Sequence, residues 1–348
     1  MKKEQKHFIF ENATVKDALE KLNEVPESLT LFVLNQKQQL VGTLTDGDIR
    51  RNLLMDKSIH EKVEAFMHRG FRRLIKSKFR LEQIQEFREQ RIRQVPLLDD
   101  DNRVLRILDF NKLKSLLPVD AVVMAGGRGE RLKPLTDSIP KPLLKIGDKS
   151  IIERNIDRLA EYGISNIFIT VKYLAEQIVD AFENRKETEI KLNFINEGEP
   201  LGTIGSVSLI NNFLNDFILV MNSDLLTNID FEDFFLNFIE EKADMSVASV
   251  PYHVVVPYAV LEKKENQIIS FKEKPTYTYY SNAGIYLIRR KLLHMIPVQK
   301  QFNATDFMDE LIKNHYKVIQ FPILGYWLDI GKHEDYQKAQ VDVKHIKF

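Results

Sequence analysis

The sequence predicts an α/β protein with two domains, in which a large domain with a mainly parallel sheet follows a smaller α+β domain. In residues 118–348, strand-like runs rich in Val, Ile and Phe alternate with helical patterns. In residues 1–117, a strand–turn–strand pattern occurs twice, 64 positions apart. A length of 348 residues agrees with two domains.

The elements follow from hydrophobic periodicity and from turn residues. The repeated pattern covers 34–41 and 98–105; each copy follows an amphipathic helix and leads into a second strand and a further helix. The second copy ends in a helix-like stretch, 111–117, which Pro118 terminates. In the large domain we predict strands at 120–124, 167–171, 190–195, 217–221 and 245–250, and helices at 150–162, 174–182, 203–212 and 231–241.

Composition excludes several classes of protein. Lys and Arg number 50 and Asp and Glu number 50, so no positive excess indicates a nucleic-acid partner. The absence of Cys excludes disulfides, cysteine metal sites and a cysteine nucleophile. No apolar run is long enough for a membrane span or a signal peptide, so we expect a cytoplasmic protein without a membrane partner.

The first repeat carries a possible ligand site in the run GTLTDGDIRR. Thr45 offers a hydroxyl and Asp48 a carboxylate that can accept from a diol, although both also suit a helix cap. The run resembles the nucleotide-contacting end of a CBS motif, which implies that Thr45 and Asp48 hold the ribose of an adenine nucleotide. The second repeat has Asp109 and Lys112 at these places, so a purely structural CBS pair stays open. CBS pairs associate through their helices, which implies a homo-oligomer.

A glycine-rich turn follows the first strand of the large domain. Gly126, Gly127 and Gly129 come directly after Ala125. Such a turn lets backbone N–H groups approach phosphates. The spacing is neither that of a P-loop nor that of a dinucleotide fingerprint.

Three cations accompany this turn: Arg128, Arg131 and Lys141, the last between Pro140 and Pro142. Fixed cations beside a phosphate cradle suit phosphoryl or nucleotidyl transfer, whose catalysis is mainly positioning and charge neutralisation. The run from 121 to 153 resembles the signature of the sugar-1-phosphate nucleotidyltransferases, GGxGxRLxPLT followed by PKP. The resemblance implies a Rossmann-like, GT-A-like fold, nucleotide contacts at 125–129, a hold on pyrophosphate by Arg131 and phosphate neutralisation by Lys141.

A second stretch, 197–203, resembles the E-x-x-P-L-G-T segment of the same family. The resemblance implies nucleotide contacts at Glu197, Pro200, Gly202 and Thr203. Glu197 is able to accept hydrogen bonds from N1–H and the 2-amino group of guanine. The alternative is a charged turn before a helix that Thr203 caps.

Two carboxylates are candidate ligands for Mg²⁺. Asp224 ends an apolar strand in MNSD, where Asn222 replaces the first Asp of a D-x-D pattern, and a cap role is its alternative. Asp329 lies in a run with Trp327 that resembles the family's W-x-D-x-G, which implies the second metal carboxylate. The E-K-P and N-x-G-x-Y elements resemble those of the family and imply sugar-phosphate contacts, although in isolation surface turns would explain both better. The residues are Glu273, Lys274, Asn282 and Gly284.

Together the resemblances imply transfer of a nucleotidyl group from an NTP to a sugar 1-phosphate. A CBS pair ahead of this domain is similar to the guanylyltransferases that make GDP-glucosamine for legionaminic acid, which favours GTP and glucosamine 1-phosphate. Mannose 1-phosphate with GTP, or glucose 1-phosphate with a thymidine nucleotide, are the alternative substrates. A non-catalytic nucleotide-sensing CBS protein and a glycosyltransferase are the alternatives of other classes.

Overall fold

The computed structural model describes residues 5–183 and 190–346, which divide into two compact units, Met1–Leu116 and Leu117–Phe348. The predicted strand at 190–195 therefore begins directly after the undescribed residues 184–189. Residues 1–4 of the first predicted domain are not described either. None of the described helices has the length and apolarity needed to cross a membrane.

The first unit contains two small sheets of the same construction. Its elements are β1 (Phe8–Phe10), α1 (Val15–Asn23), β2 (Thr30–Leu34), β3 (Leu40–Thr45), α2 (Asp46–Leu53), β4 (Leu74–Ile75), α3 (Leu81–Glu89), β5 (Gln94–Leu98) and β6 (Val104–Asp109). In each sheet a parallel pair is followed by an antiparallel hairpin, in the orders β1-β2-β3 and β4-β5-β6.

The repeat is confirmed in detail by its two hairpins. Gln38 and Asn102, 64 positions apart, both have positive φ, at 63° and 60°. Each hairpin also has a register irregularity at equivalent places, Val33/Leu34 and Leu97/Leu98. Each copy buries its own apolar cluster.

The helix predicted at the end of the second copy, over 111–117, is wrong. In the first copy Thr45 accepts from the Asp48 N–H and the Asp48 carboxylate accepts from the Thr45 N–H, which starts α2. At the equivalent places Asp109 and Lys112 cannot form this reciprocal cap. Asp109 instead accepts from the Asn111 N–H in a turn, and no helix follows.

The second unit is a seven-stranded sheet with helices, and its mainly parallel α/β class is confirmed. Its helices are α4 (Ile151–Glu161), α5 (Ala175–Glu183), α6 (Phe231–Glu240), α7 (Ala304–Lys313) and α8 (His333–Asp342). Its strands are β7 (Val119–Ala125), β8 (Lys145–Ile146), β9 (Lys149–Ser150), β10 (Asn166–Val171), β11 (Lys191–Asn196), β12 (Phe217–Asn222), β13 (Leu225–Thr227), β14 (Met245–Val255), β15 (Val260–Lys264), β16 (Gln267–Lys272), β17 (Thr276–Arg289), β18 (Val318–Pro322) and β19 (Trp327–Asp329). The order is β11-β10-β7-β12-β17-β14-β18, and only β17 runs antiparallel to its neighbours.

The central strands are apolar because the sheet is covered. β10 is buried at all six positions, as expected for a parallel strand with helices on both faces. The helices begin at capping side chains: Ser150 accepts from the Glu153 N–H before α4, and Asp230 accepts from two N–H groups of α6. These caps explain why the predicted starts of α4 and α6 are close to the observed ones.

The helix predicted over 203–212 is wrong, since only a short 3₁₀ turn forms at Gly205–Leu209. The N–H groups of Ile204 and Gly205 donate to the carbonyl of Phe302, from a distant part of the chain. Gly202 has φ +79°, and a Cβ there would lie 2.6 Å from the Phe302 oxygen. These contacts hold the start of the segment in a non-helical conformation, with Ile204 at φ −146°.

Residues 251–280, called the arm below, extend from the sheet. Beyond Ser249, β14 has no neighbour other than β17, and β17 pairs with β12 only from Ile285 onward. β14 thus runs on past its predicted end at residue 250, and the hairpin β15–β16 closes the arm.

Asp120 anchors the start of β7 and provides a test of the fold. Its fully buried carboxylate accepts from Leu214 N, Asn215 N and Asn215 Nδ2 at 2.5–3.2 Å.

We expect Asp120→Ala to lower the free energy of unfolding by about 2–4 kcal/mol, because buried donors lose a charged acceptor. Urea denaturation measures this. Asp216→Ala, at an exposed carboxylate nearby, should change it by less than about 0.5 kcal/mol, and equal effects would contradict the anchor.

Candidate active site

A cleft of about 860 Å³ opens at the carboxyl ends of β7 and β12, where open parallel sheets place ligands. It brings together ten of the predicted residues: Gly126, Gly127, Arg128, Gly129, Lys141, Glu197, Pro200, Gly202, Thr203 and Asp224. Ala125 ends β7 directly before this group and is buried. The glycine turn, the Glu197 segment and the first carboxylate therefore share one cavity.

Glu197 is a buried carboxylate in the wall of this cleft. Only 6% of the residue is exposed, and its carboxylate makes no hydrogen bond or ion pair among the described residues. A Cβ at Gly126 would lie 3.1 Å from Glu197 Oε1, so the glycine permits this close approach. The residue lines the cleft, so a ligand there can supply hydrogen-bond donors to this carboxylate.

Thr203 does not cap its own segment. Its hydroxyl accepts from the Ala304 N–H at 2.9 Å, at the start of α7. Asn303 in turn accepts from the Thr203 N–H at 3.4 Å. This exchange ties the cleft wall to α7.

The two predicted metal carboxylates meet because β13 and β19 pair. Leu225 lies opposite Asp329 in this antiparallel pair, and Ile330 N donates to Asp224 O at 3.1 Å. The ammonium group of Lys141 forms an ion pair with Asp224 Oδ2, and it lies 4.0 Å from Asp329 Oδ1. Residues far apart in sequence thus form one compact charged cluster.

The electrostatics of this cluster favour a cation. Burial and, next, the charge of Asp224 raise the pKa of Asp329 above its usual value, although Lys141 and Arg131 oppose the shift. The Oδ1 atoms of Asp224 and Asp329 are buried without a hydrogen-bond partner in the described chain. The described residues contain no group of three or more His, Cys, Asp or Glu side chains suited to a metal. Two carboxylates with free oxygens fit Mg²⁺, which takes further ligands from water and substrate phosphates.

Other predicted residues lie outside the cleft wall. Arg131 is exposed in a 3₁₀ turn and close enough to Asp329 to influence its pKa. Asn282 accepts from Gly284 N and donates to the Tyr286 hydroxyl, both at 2.9 Å. Gly284 packs against Asn222, which does line the cleft.

Glu273 and Lys274 are not brought to the cleft, since they are exposed on the arm and absent from the cavity wall. Trp327 fixes β19 by donating its Nε1–H to Ala283 O at 3.0 Å. It therefore anchors the carboxylate beside it. The roles assigned to these residues stay predictions.

Among the lining residues that sequence reasoning missed are Lys172 and Tyr173. They follow β10 directly, so the rule that strand ends form the site would have found them. Lys172 donates to Gly198 O at 3.1 Å, and the Tyr173 hydroxyl is bonded to the loop at Thr136 and Asp137.

In the first unit, Thr45 and Asp48 are bonded to each other. Thr45 Oγ1 donates to Asp48 Oδ2 at 2.6 Å, and Arg51 Nη2 lies 2.5 Å from Asp48 Oδ1. These bonds form the helix cap that the sequence offered as the alternative to a ligand site. A ligand role for the pair stays a prediction, and such a ligand would have to replace some of these bonds.

Comparison with known proteins agrees with this geometry. A family model described as Nucleotidyl transferase matches residues 120–345, and one described as CBS domain matches residues 4–55. The bifunctional protein GlmU of Methanocaldococcus jannaschii is 34% identical over 228 residues, which cover 64% of this chain and 53% of that protein. The chain thus spans about half the length of this relative.

Two further proteins match over nearly their whole length. The D-glycero-alpha-D-manno-heptose 1-phosphate guanylyltransferase of Aneurinibacillus thermoaerophilus is 28% identical, covering 65% of this chain and 99% of that protein. The crystal structure of HddC from Yersinia pseudotuberculosis is similar with a TM-score of 0.52 and 29% identity, over 64% of this chain and 99% of that one. HddC complexed with GMP-PN gives a TM-score of 0.50.

Asp329 provides a test of these electrostatics. Its raised folded-state pKa means that the fold disfavours the ionised form, so wild type loses stability as pH rises through that pKa. A variant with Asn at this position does not lose stability in this way, because the amide does not ionise. We therefore expect Asp329→Asn, in EDTA, to melt at or above the temperature of wild type at pH 8, with the difference disappearing towards pH 4.

Thermal melting between pH 4 and pH 8 measures the difference, and Asp180→Asn, at an exposed carboxylate on α5, is the control that should follow wild type. An Asp329→Asn variant that melts below wild type at pH 8 would mean that the carboxylate stabilises the metal-free fold.

Proposed function

The chain belongs to the nucleotidyl transferase family, and from this membership we propose that it is a sugar-1-phosphate guanylyltransferase. The proposed reaction joins GTP and a sugar 1-phosphate. A phosphate oxygen of the sugar 1-phosphate forms a bond to the α-phosphorus, the bond between the α-phosphorus and its bridging oxygen breaks, and pyrophosphate leaves. The acceptor phosphate is already ionised, so no side-chain base is required.

The proposed roles follow the positions in the cleft. The backbone of the glycine turn and Arg128 receive the triphosphate. Asp224 and Asp329 hold Mg²⁺, which when bound offsets the charge on the reacting phosphates. Lys141 leaves its ion pair to neutralise phosphate charge, and Arg131 holds the pyrophosphate.

The single observation that carries the choice of GTP is Glu197. Its unbonded carboxylate in the cleft wall can accept from two adjacent donors, and guanine presents them at N1–H and the 2-amino group. Uracil and thymine present one donor between two acceptors, which a carboxylate repels. The name of the A. thermoaerophilus relative, a guanylyltransferase, supports the same choice.

The proposed acceptor is glucosamine 1-phosphate, for nonulosonic (legionaminic) acid synthesis, and it rests on the combination of a CBS region with this catalytic unit. Asn282 and Gly284, beside Asn222 of the cleft wall, are its proposed contacts, together with Glu273 and Lys274, which the resemblance adds and which lie on the arm outside that wall. We also propose an adenine nucleotide as regulator at Thr45 and Asp48; unchanged kinetics and no binding heat with AMP or ATP would remove it.

Pyrophosphate release with Mg²⁺ tests the reaction. GTP, ATP, CTP, UTP and dTTP are each combined with the 1-phosphates of glucosamine, N-acetylglucosamine, glucose and mannose. We expect the strongest signal with GTP and glucosamine 1-phosphate, and a loss of at least about 10³-fold in Asp224→Asn because charge stabilisation is removed. If the strongest release occurs with mannose 1-phosphate or with dTTP, that compound replaces glucosamine 1-phosphate or GTP as the proposed substrate. No pyrophosphate release in any combination, with and without AMP and ATP, would contradict the proposed nucleotidyltransferase activity.

Glu197→Gln tests the base preference. We expect kcat/KM for GTP to fall by about 10²-fold, since a charged acceptor of two hydrogen bonds is lost. Activity with UTP should rise relative to GTP, because an amide offers one donor and one acceptor. Glu199→Gln, in the same wall but with a side chain 90% exposed, is the matched control and should retain the preference. An unchanged GTP/UTP ratio in Glu197→Gln would exclude this carboxylate from base recognition.

A further inference from the structure

The end of β10 lies between two walls of the cleft. β10 pairs with β7 on one side and with β11 on the other. β7 leads into the glycine turn, and β11 leads into the segment that carries Glu197. The two residues that follow β10, Lys172 and Tyr173, both line the cleft. They are therefore placed to contact one wall each.

Tyr173 is connected to the glycine turn through Thr136. The Tyr173 hydroxyl lies 3.1 Å from Thr136 O and 3.2 Å from Asp137 O, and it can donate to either carbonyl. Thr136 is fully buried, and its own hydroxyl donates to Gly129 O at 2.9 Å. Gly129 has φ 63°, and its carbonyl also accepts from Leu132 N. Two hydrogen bonds in series thus connect the end of β10 to the last glycine of the turn.

Thr136 also packs closely on this turn. A Cβ at Gly129 would lie 3.0 Å from Thr136 Cγ2 and 3.0 Å from Lys141 Cβ. The turn, Thr136 and the stem of Lys141 are therefore in close contact. Because packed groups of this kind transmit strain, a shift of Thr136 displaces the backbone N–H groups that the turn offers to phosphates.

Lys172 is bonded to the other wall. Its ammonium group donates to Gly198 O at 3.1 Å and lies 3.6 Å from Glu199 Oε2. No other hydrogen bond within the described chain reaches residues 198–200. The Glu199 side chain is 90% exposed, so its ion pair contributes little beside the bond to the carbonyl. Since Gly198 directly follows Glu197, this bond fixes the backbone beside the proposed base-recognising carboxylate.

We propose that Lys172 and Tyr173 are positioning residues with separate tasks. Tyr173, acting through Thr136, holds the glycine turn for the triphosphate, and Lys172 holds the 197–199 segment for the base. The inference rests on the proposed function, because it requires a nucleoside triphosphate in this cleft. Neither side chain has to touch the nucleotide. If Lys172 bound phosphate directly, its removal would weaken phosphate binding instead of base recognition.

Binding experiments on the full chain separate the two tasks, because tripolyphosphate has no base and guanosine has no phosphate. They are run with Mg²⁺ and without sugar 1-phosphate. Tyr173→Phe should raise the Kd for GTP and for tripolyphosphate by about 3- to 10-fold, as the loss of one hydrogen bond implies, and leave guanosine binding unchanged. Thr136→Val should have the same effect, and Thr136→Ser, which keeps the hydroxyl, should restore binding.

The matched control for the tyrosine is Tyr336→Phe. The Tyr336 hydroxyl also donates to a backbone carbonyl, Lys145 O at 2.9 Å, but it lies outside the described wall of the cleft. It loses the same kind of bond and should change neither Kd. Thermal melting compares the folding of each variant with that of its control.

Lys172→Met tests the other wall, since it keeps the stem and removes the ammonium group. We expect weaker binding of guanosine, a GTP/UTP preference lower by about 3- to 10-fold, and unchanged binding of tripolyphosphate. Lys317→Met is the matched control. Lys317 donates to the carbonyl of Glu241 at 2.6 Å and to its carboxylate at 2.7 Å, away from the described cleft wall.

Three results would overturn the inference while GTP binding by wild type leaves the proposed function intact. They are equal losses of tripolyphosphate and guanosine binding in one variant, weaker tripolyphosphate binding in Lys172→Met, and unchanged affinities in Tyr173→Phe. A wild type that binds neither GTP nor tripolyphosphate would remove the proposed function, and this inference with it.

Discussion

The ion pair of Lys141 with Asp224, extended to Asp329, is the interaction on which the site depends. Two partly buried carboxylates held close together repel each other unless a cation joins them. The chain solves this with three separate segments: the Pro-flanked turn at Lys141–Leu143, the end of β12, and β19 paired with β13. The remaining architecture holds these segments in place, for example through Asn155 of α4, which donates to Ser223 O at 3.1 Å.

Much of this arrangement could be predicted because the residues of the site directly follow apolar strands in the sequence. The glycine turn follows an apolar strand, and Asp224 follows another, so a parallel sheet had to bring them to one edge. The repeat in the first unit was equally legible, since its turn residues recur at the same interval. In both cases local sequence and global fold require the same structure.

The failures have two physical causes: distant parts of the chain decide the outcome in two cases, and the absence of a local cap decides it in the third. The segment at 203–212 has a helical pattern, yet hydrogen bonds to the carbonyl of Phe302 hold its first residues in a non-helical conformation. The last helix of the second repeat lacks the reciprocal cap that starts α2. Glu273 and Lys274 lie on the arm because β14 and β17 extend beyond their neighbours, which motif spacing does not encode.

The contact between Gly126 and Glu197 has a consequence for how this scaffold can diversify. Glu197, proposed to recognise the base, lies against Gly126 of the turn proposed to bind the phosphates. A backbone change in this turn would therefore alter both base recognition and phosphate binding. Exchanging the side chain at position 197 while the turn stays intact is the open evolutionary route to a new nucleotide preference. Descendants of this chain should therefore vary at one position of the wall far sooner than in its glycines.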